Sequence, residues 1–341
     1  MGLCNKTRLF VISLFFIYFF FLFHRRMFEL RSIKFAFGLA VLFICLFSLY
    51  TLQQRTMTTP DVVSTKWKLK NYAQPPPDVL AAIDRNTITE RMQGRKKPLN
   101  ILLIAVVNTG MMNYTLNWIE SLKLTGQDDK YLVFAIDQGV VDIMTERGHE
   151  QHVTLIPADW FHRPLDSGFA RWKSNSYLSI THAKTLVVER LLYSDMTVWF
   201  TDVDIVFLSP HIRATMLAQM GGRDMVFSQE IDQRVINSGF YMMRPTLASK
   251  RFMSLVIQDQ DDTQVLTQQK VMNRVLRSAF TRDFMNCPYR FLDMLLFPNG
   301  CDYFRKNLPN RLGIQPLMLH ANCLIGDKKK DALAKEGMWY L

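Results

Sequence analysis

Hydrophobic and polar positions fall into three regimes along the 341 residues. Two apolar runs come first, at 9–23 and 35–52. About 18 apolar residues suffice for a helix to cross a bilayer, so 35–52 qualifies as a span and the shorter run is marginal. A polar stretch follows from Gln53 to Pro98, and its Pro75-Pro76-Pro77 favours extended polyproline geometry. From Leu99 the pattern changes again. Asn100–Val107 is a short continuous apolar run ending at Asn108-Thr109-Gly110, the signature of a buried parallel strand running into a loop. Leu116, Ile119 and Leu122 have helical spacing, with Gly126 as a stop. Tyr131–Asp137 reads as a second strand, Leu178–Leu192 as a helix, and Thr197–Phe200 opens a further strand. Alternating strands and helices predict an α/β fold with an open, mainly parallel sheet, which binds ligands at the carboxyl ends of its strands.

Charge sets the orientation. Arg25, Arg26, Arg31 and Lys34 lie between the apolar runs, and a hairpin of two spans would put them on the non-cytosolic side. The positive-inside bias favours one span, with everything after Leu52 outside. No small-residue cleavage site follows, so the segment is expected to stay as a signal anchor. The expected organisation is a cytosolic tail at 1–34, an anchor at 35–52, a stem at 53–98 and a catalytic domain at 99–341. Met27 begins a complete short-tailed anchor by itself, so residues 1–26 read as an extension ahead of the true start. The formal charge of +11 is concentrated at this end: residues 1–52 hold six Lys/Arg against one Glu, 53–98 hold nine against four, and 99–341 hold 26 against 25. With a nearly neutral outer domain, the charge does not require a basic groove for nucleic acid, and membrane-flanking charge accounts for it, so no nucleic-acid partner is expected. The composition, 49% apolar with 15 Gly and 5 Cys, also excludes disorder and a disulfide-dense scaffold. Cys4 and Cys45 belong to the N-terminal region, leaving Cys287, Cys301 and Cys323 to form at most one pair outside it. Asn113-Tyr114-Thr115 is a glycosylation sequon just after a strand, and Asn5-Lys6-Thr7 would be cytosolic and unused.

The chemistry concentrates in Thr197–Pro210. Asp202 and Asp204 are two residues apart, so in extended chain both side chains point to one side and Val203 points away. Four apolar residues, Ile205–Leu208, follow at once. Two carboxylates in an apolar run repel and lose hydration, so a cation, a proton or a basic partner must compensate them. Mg²⁺ or Mn²⁺ fits best, because such ions take hard oxygen ligands and complete their shell with substrate phosphates. The plainer alternative is a solvated turn at the end of a strand.

Several segments in order resemble the nucleotide-diphospho-sugar transferases of glycosyltransferase family 77. Asp202-Val203-Asp204 resembles the family's metal-binding strand, and Asn237-Ser238-Gly239-Phe240 its Asn-x-Gly-Phe strand. Gln268–Asn273 is similar to its Asp-Gln-x-x-x-Asn segment. Phe297–Phe304 and His320–Trp339 are similar to its closing motifs. The resemblance spans Asn100 to Trp339 and implies a GT-A fold, a metal-dependent donor site for a nucleotide sugar of the UDP class, a glycan or glycoprotein acceptor, retention of configuration and a Golgi membrane location. It implies that Asp202, Asp204 and His320 ligate Mn²⁺ or Mg²⁺, with Asp202 also reaching the ribose. Lys330 would add a charge at the diphosphate and Gly326 would allow close backbone approach. Asn108 and Thr109 would line the nucleoside pocket, Lys184 would reach donor sugar or phosphate, and Asn237 and Gly239 would complete the donor site. Gln268 and Gln269 would stand near the reacting carbon with Asp204. Here the chain departs from the pattern, since Gln268 replaces a carboxylate that could stabilise an oxocarbenium-like state. Two competing readings stay open. A haloacid dehalogenase-type phosphatase is imitated by Asp202-x-Asp204 and Gly326-Asp327-x-x-x-Asp331, and a non-catalytic relative is kept open by Gln268.

Overall fold

The computed structural model describes residue 41 and residues 67–91, 97–162, 175–263, 265–279 and 288–341. The anchor predicted at 35–52 (Val41 apart), the run at 9–23, the start at Met27, Asn5, Cys4, Cys45 and Cys287 lie outside these residues. Among the described residues, no helix is long and apolar enough to cross a membrane. The chain divides into two units, Met1–Ser64 and Thr65–Leu341, and every element named in this fold belongs to the second.

Its elements run α1 (Pro77–Asn86), β1 (Ile88–Glu90), β2 (Leu99–Val107), α2 (Met112–Leu124), β3 (Leu132–Ala135), α3 (Gln138–Glu146) and β4 (Val153–Leu155). Then come α4 (Asn175–Tyr193), β5 (Thr197–Thr201), β6 (Ile205–Phe207), α5 (Ile212–Met220), β7 (Met225–Gln229) and β8 (Ile236–Met243). The last are α6 (Leu247–Thr263), α7 (Gln268–Ala279), β9 (Tyr289–Phe291), α8 (Leu308–Arg311), β10 (Met318–His320) and α9 (Asp327–Lys335).

The main sheet has the order β4-β3-β2-β5-β8-β7-β9, with β1 paired to β2. β4, β3, β2 and β5 are parallel; β8 is antiparallel to β5 and β7, and β9 is parallel to β7. β8 and the short β1 therefore run against an otherwise parallel array. The unbroken apolar run of β2 follows from its central place. Leu102, Ile104 and Val106 enter one buried cluster with Val187, Leu191 and Phe252, while Ile101, Leu103, Ala105 and Val107 enter another with Trp118, Ile119 and Leu122. A strand covered on both faces has no solvent side to make polar.

Two sequence expectations change. First, the folded unit begins well before Leu99. Val79, Ala82 and Ile83 of α1 are buried, and β1 pairs Ile88 with Ile101. Pro76 keeps polyproline dihedrals (φ −51°, ψ 150°), but Pro77 is the first helical residue, where proline costs no hydrogen bond. Farther upstream, Lys70 Nζ lies 3.0 Å from Glu189 of α4, the Tyr72 hydroxyl and Ser254 Oγ also donate to that carboxylate, and Arg190 stacks 3.7 Å over the Tyr72 ring. Glu189 is wholly buried, so this segment supplies the counter-charge and donors that let it be so. Second, Asp202-Val203-Asp204 is not one extended strand. β5 ends at Thr201, the three residues turn a corner, and β6 leaves to pair antiparallel with β10 in a separate two-stranded sheet. Cys301 and Cys323 form a disulfide (Cα–Cα 5.5 Å) that closes a 22-residue interval around β10.

Candidate functional site

The site gathers at the carboxyl ends of β2, β3 and β5. β2 delivers Asn108, which is buried, and Thr109, which opens a 3-10 turn leading into α2. Thr109 donates its backbone N–H (3.0 Å) and its hydroxyl to Asp137, at the end of β3. The fit is close: a Cβ on Gly139 would stand 2.5 Å from Thr109 Oγ1. The sequence pattern marks Asp137 as the end of a strand without assigning it to the pocket.

The corner after β5 carries the acidic centre. Val203 turns into the core, and Asp202 and Asp204 face His320. One ligand atom from each of Asp202, Asp204 and His320 can be chosen so that all lie within 4.8 Å of one another. Asp204 is 6% exposed and His320 5%, with His320 Nε2 3.2 Å from Asp204 Oδ1. Register explains the meeting, since β10 pairs with β6 so that His320 stands opposite Ile205, next to Asp204. The Ala321 N–H also donates to the Asp204 carbonyl (2.9 Å). Two carboxylates and an imidazole at this spacing suit a divalent cation, and the surroundings are cut to them. A Cβ on Gly239 would come within 2.5 Å of His320 Cε1 and 2.7 Å of Asp202 Oδ2. Gly239 O meanwhile accepts the Asp202 N–H at 2.7 Å.

Two lysines balance the acids. Lys184 Nζ on α4 donates to Asp202, and Lys329 Nζ on α9 donates to Asp204. Burial works to raise the Asp204 pKa, but Lys329 and His320 outweigh it and hold the carboxyl well below its usual range. Burial likewise works to lower both lysines, yet Asp202 and Tyr177 raise Lys184, and Asp204 raises Lys329. Desolvation, with a contribution from the nearby acids, raises the phenols of Tyr114 and Tyr177, and the two lysines partly oppose it. Both tyrosines thus lie in the field of the site. Tyr114 also donates to the Gly326 carbonyl (3.3 Å), tying α2 to the start of α9.

The remaining expected residues divide. Asn237 Oδ1 accepts the Gly239 N–H (2.9 Å), and its Nδ2 donates to Glu230 (2.8 Å). Gln269 donates to the same Glu230 oxygen (3.0 Å), while its carbonyl accepts the Ser238 N–H (3.1 Å). Its carbonyl therefore props β8 at Ser238. Gln268 is buried and donates to Thr185 (3.0 Å), whose hydroxyl donates to Gln260 (2.8 Å), so it belongs to the packing of α7 on α4 and α6. Lys330 is not the lysine on the acids. It is exposed, 5.2 Å over the Trp339 ring, and helical phase turns Lys329 inward in its place. Gly326 has φ +58° and ψ −141°, with open space where a Cβ would stand, so its dihedrals call for glycine. Asn113 of the sequon is exposed, whereas Thr115 is buried with its hydroxyl donating to Met111 O (3.0 Å). Sequence reasoning missed the roles of Lys329, Glu230 and Asp137. The helical phase of α9 could have pointed to the first; nothing local marks Glu230.

The chain is similar to known proteins over most of the described fold. A family model described as nucleotide-diphospho-sugar transferase matches residues 126–333. The UDP-galactose:fucoside alpha-3-galactosyltransferase of Dictyostelium discoideum is 26% identical over 282 residues, 71% of this chain and 43% of that protein. The chain thus spans less than half the length of that relative. Solved structures similar to it include the galactosyltransferase LgtC with donor and acceptor sugar analogues (13% identity, 70% of this chain, 95% of that one, TM-score 0.45). The apo form of mouse xyloside xylosyltransferase 1 is another (10% identity, 66% and 99%, TM-score 0.40).

The geometry yields two expectations. Gly239→Ala should displace His320 or Asp202 and cut turnover by roughly 100-fold, the cost of about 1 Å of misplacement, while leaving the circular dichroism spectrum unchanged. Wild-type turnover in that variant would show the cradle to be loose. For the metal-free protein, the depressed Asp204 pKa contributes stability above the unfolded value of about 3.9, and this is lost as pH falls through the lower folded value. Urea unfolding should therefore show wild type more stable than Asp204→Asn at neutral pH, with the gap closing only below about pH 4. A gap independent of pH would contradict the assigned ionisation.

Proposed function

We propose a metal-dependent, retaining sugar transfer for this chain, which belongs to the nucleotide-diphospho-sugar transferase family. The observation that carries the reading is the convergence of Asp202, Asp204 and His320 beside two lysines at the carboxyl end of β5. The reaction joins an acceptor hydroxyl of a glycan or glycoprotein to the anomeric carbon of a UDP-sugar, breaks the bond to the diphosphate and releases UDP. Galactose is the first sugar to test, given the name of the Dictyostelium relative.

Asp202, Asp204 and His320 would hold Mn²⁺ or Mg²⁺, and the ion would supply positive charge against the departing diphosphate. The chain's own groups prepare the rest. Lys329 and His320 keep Asp204 ionised despite its burial, so the ligand is ready at neutral pH. Lys184 and Lys329 are cationic, one on Asp202 and the other on Asp204, and would add two positive charges beside a diphosphate held at the ion. Asn108, Thr109 and Asp137 would receive the nucleoside at the ends of β2 and β3. Glu230 puts a carboxylate on the Asn237–Gln269 network beside β8, in a chain whose family position for an acid holds Gln268.

The phosphatase reading loses its footing with the family membership; Asp327 and Asp331 are also exposed on α9. The non-catalytic reading rested on Gln268. That amide is used in helix packing, so its presence does not empty the centre of a working group.

The cellular setting is part of the proposal. The apolar run 35–52 and the basic residues ahead of it support a single-pass type II protein, with the transferase domain in the Golgi lumen.

UDP release by the purified full chain, screened over nucleotide sugars, should require Mn²⁺ or Mg²⁺ and disappear with chelator. Asp204→Asn should lower it by about 100-fold or more, the scale of a lost preorganised charge. Removing this acid should not stabilise the apo protein, because it leaves Lys329 and His320 without their shared counter-charge. Near-normal release by Asp204→Asn would refute the assigned role. In sealed microsomes, an epitope at Leu341 should be protected from protease until detergent is added. Digestion without detergent would overturn the topology.

A further inference from the structure

A second group of metal-ligating side chains lies outside the Asp202–Asp204–His320 centre. His162, on the loop after β4, His182 on α4 and Asp261 in the last turn of α6 come from three separate chain segments. One ligand atom of each lies within 4.8 Å of the others. His162 Nδ1 is 3.0 Å from Asp261 Oδ2, and His182 Nε2 is 2.9 Å from Asp261 Oδ1. The imidazole rings stand 5.3 Å apart, tilted by 59°. Two imidazoles thus share one carboxylate, with one on each oxygen.

A divalent ion would bond one nitrogen lone pair of each neutral imidazole together with the carboxylate, leaving a local charge of +1. Tetrahedral Zn²⁺ at about 2.0–2.2 Å from N and O ligands sets its donors roughly 3.3 Å apart, close to the 2.9 and 3.0 Å separations here. The burial pattern suits it too. The His182 side chain is 2% exposed, whereas those of His162 and Asp261 are 39% and 36% exposed, so one donor is buried and the other two reach solvent, which can supply a fourth, water ligand. The ligand set also separates the two centres by chemistry. Two carboxylates with one imidazole favour a harder ion, while two imidazoles with one carboxylate favour Zn²⁺.

We infer that His162, His182 and Asp261 form a Zn²⁺ site distinct from the Asp202–Asp204–His320 centre. The ion clamps the loop at His162 onto α4 and α6. α4 also carries Lys184, two residues after His182 and about 200° around the helix, so the clamp steadies the helix that presents a lysine to the first centre. The role is structural, and it does not depend on the sugar-transfer reaction.

The test uses the full chain with Asp202→Asn and Asp204→Asn, which removes the first centre, after chelation and dialysis. Zn²⁺ titrated by calorimetry should bind at one equivalent, and Co²⁺ should give the visible d–d absorption of a four-coordinate ion. Zn²⁺ at a hundredfold excess over Kd should raise Tm by roughly 5 °C or more. Adding His162→Ala or Asp261→Asn, both at partly exposed side chains, should weaken binding at least 10–100-fold, since even loss of an outer-shell partner costs that much. The inference is overturned if the double variant takes up no Zn²⁺, if Co²⁺ shows only six-coordinate absorption, or if His162→Ala binds Zn²⁺ as tightly as its parent.

Discussion

A buried carboxylate at Asp204 must be compensated on every side, and much of the C-terminal part of the chain is arranged to do so. Lys329 arrives from α9, His320 from β10, and the Ala321 N–H occupies the Asp204 carbonyl. Each provider is itself held. β10 is kept in place by pairing with β6, by the His320 N–H on Pro298 O (3.2 Å) and by the Cys301–Cys323 disulfide. α9 is pinned by Leu333 in a small core with Val206, Tyr303 and Leu319. The C-terminal residues return to α2, where Asn117 Nδ2 donates to Met338 O (3.1 Å) and its Oδ1 accepts the Tyr340 N–H (2.6 Å). Removing any of these supports would leave an acid in a low-dielectric corner with fewer charges to balance it.

The same constraint accounts for the small residues at the centre. Asp202 and His320 approach closely only because position 239 has no Cβ, and Gly239 lies on β8, the reversed strand of the sheet beside β5. The reversal brings the Asn237–Gly239 end of β8 against the corner where β5 stops, so the topology and the glycine serve one purpose. Gly300 behaves similarly. A Cβ there would stand 2.1 Å from the Asn322 carbonyl, and its N–H donates to the Asn322 side chain (2.7 Å), which closes the loop that follows His320.

Buried charge also explains why the domain starts where it does. Glu189 sits on the far part of α4, wholly inside, and draws Lys70, Tyr72 and Ser254 around it. Burial and the adjacent Glu189 carboxylate push the Tyr72 phenol far above its ordinary pKa, so it stays protonated and donates to Glu189. A polar segment with a proline run reads as a connector, yet its few anchoring side chains make it the first layer of the fold.

Elements whose signal lies in their own residues were legible in the sequence. The apolar run of β2 and the helical spacing of α2 with its stop at Gly126 follow from periodicity, the Asp-x-Asp pair from its apolar flanks, and His320 as its distant partner from the family resemblance alone. What stayed hidden depended on pairing across the fold. The corner at Asp202–Asp204 arises because β6 finds β10 more than a hundred residues later. The choice of Lys329 over Lys330 is set by which face of α9 packs on Leu333's core. Gln268 turned inward because Thr185 was there to receive it. The burial of α1 and β1 required β2 as a neighbour. Sequence determined the acidic pair of the centre, since charge and hydrophobic pattern are local properties. Tertiary structure alone decided which lysine, which carboxylate and which amide face it, because those assignments depend on long-range register and on the energetic demand that each buried charge find a partner.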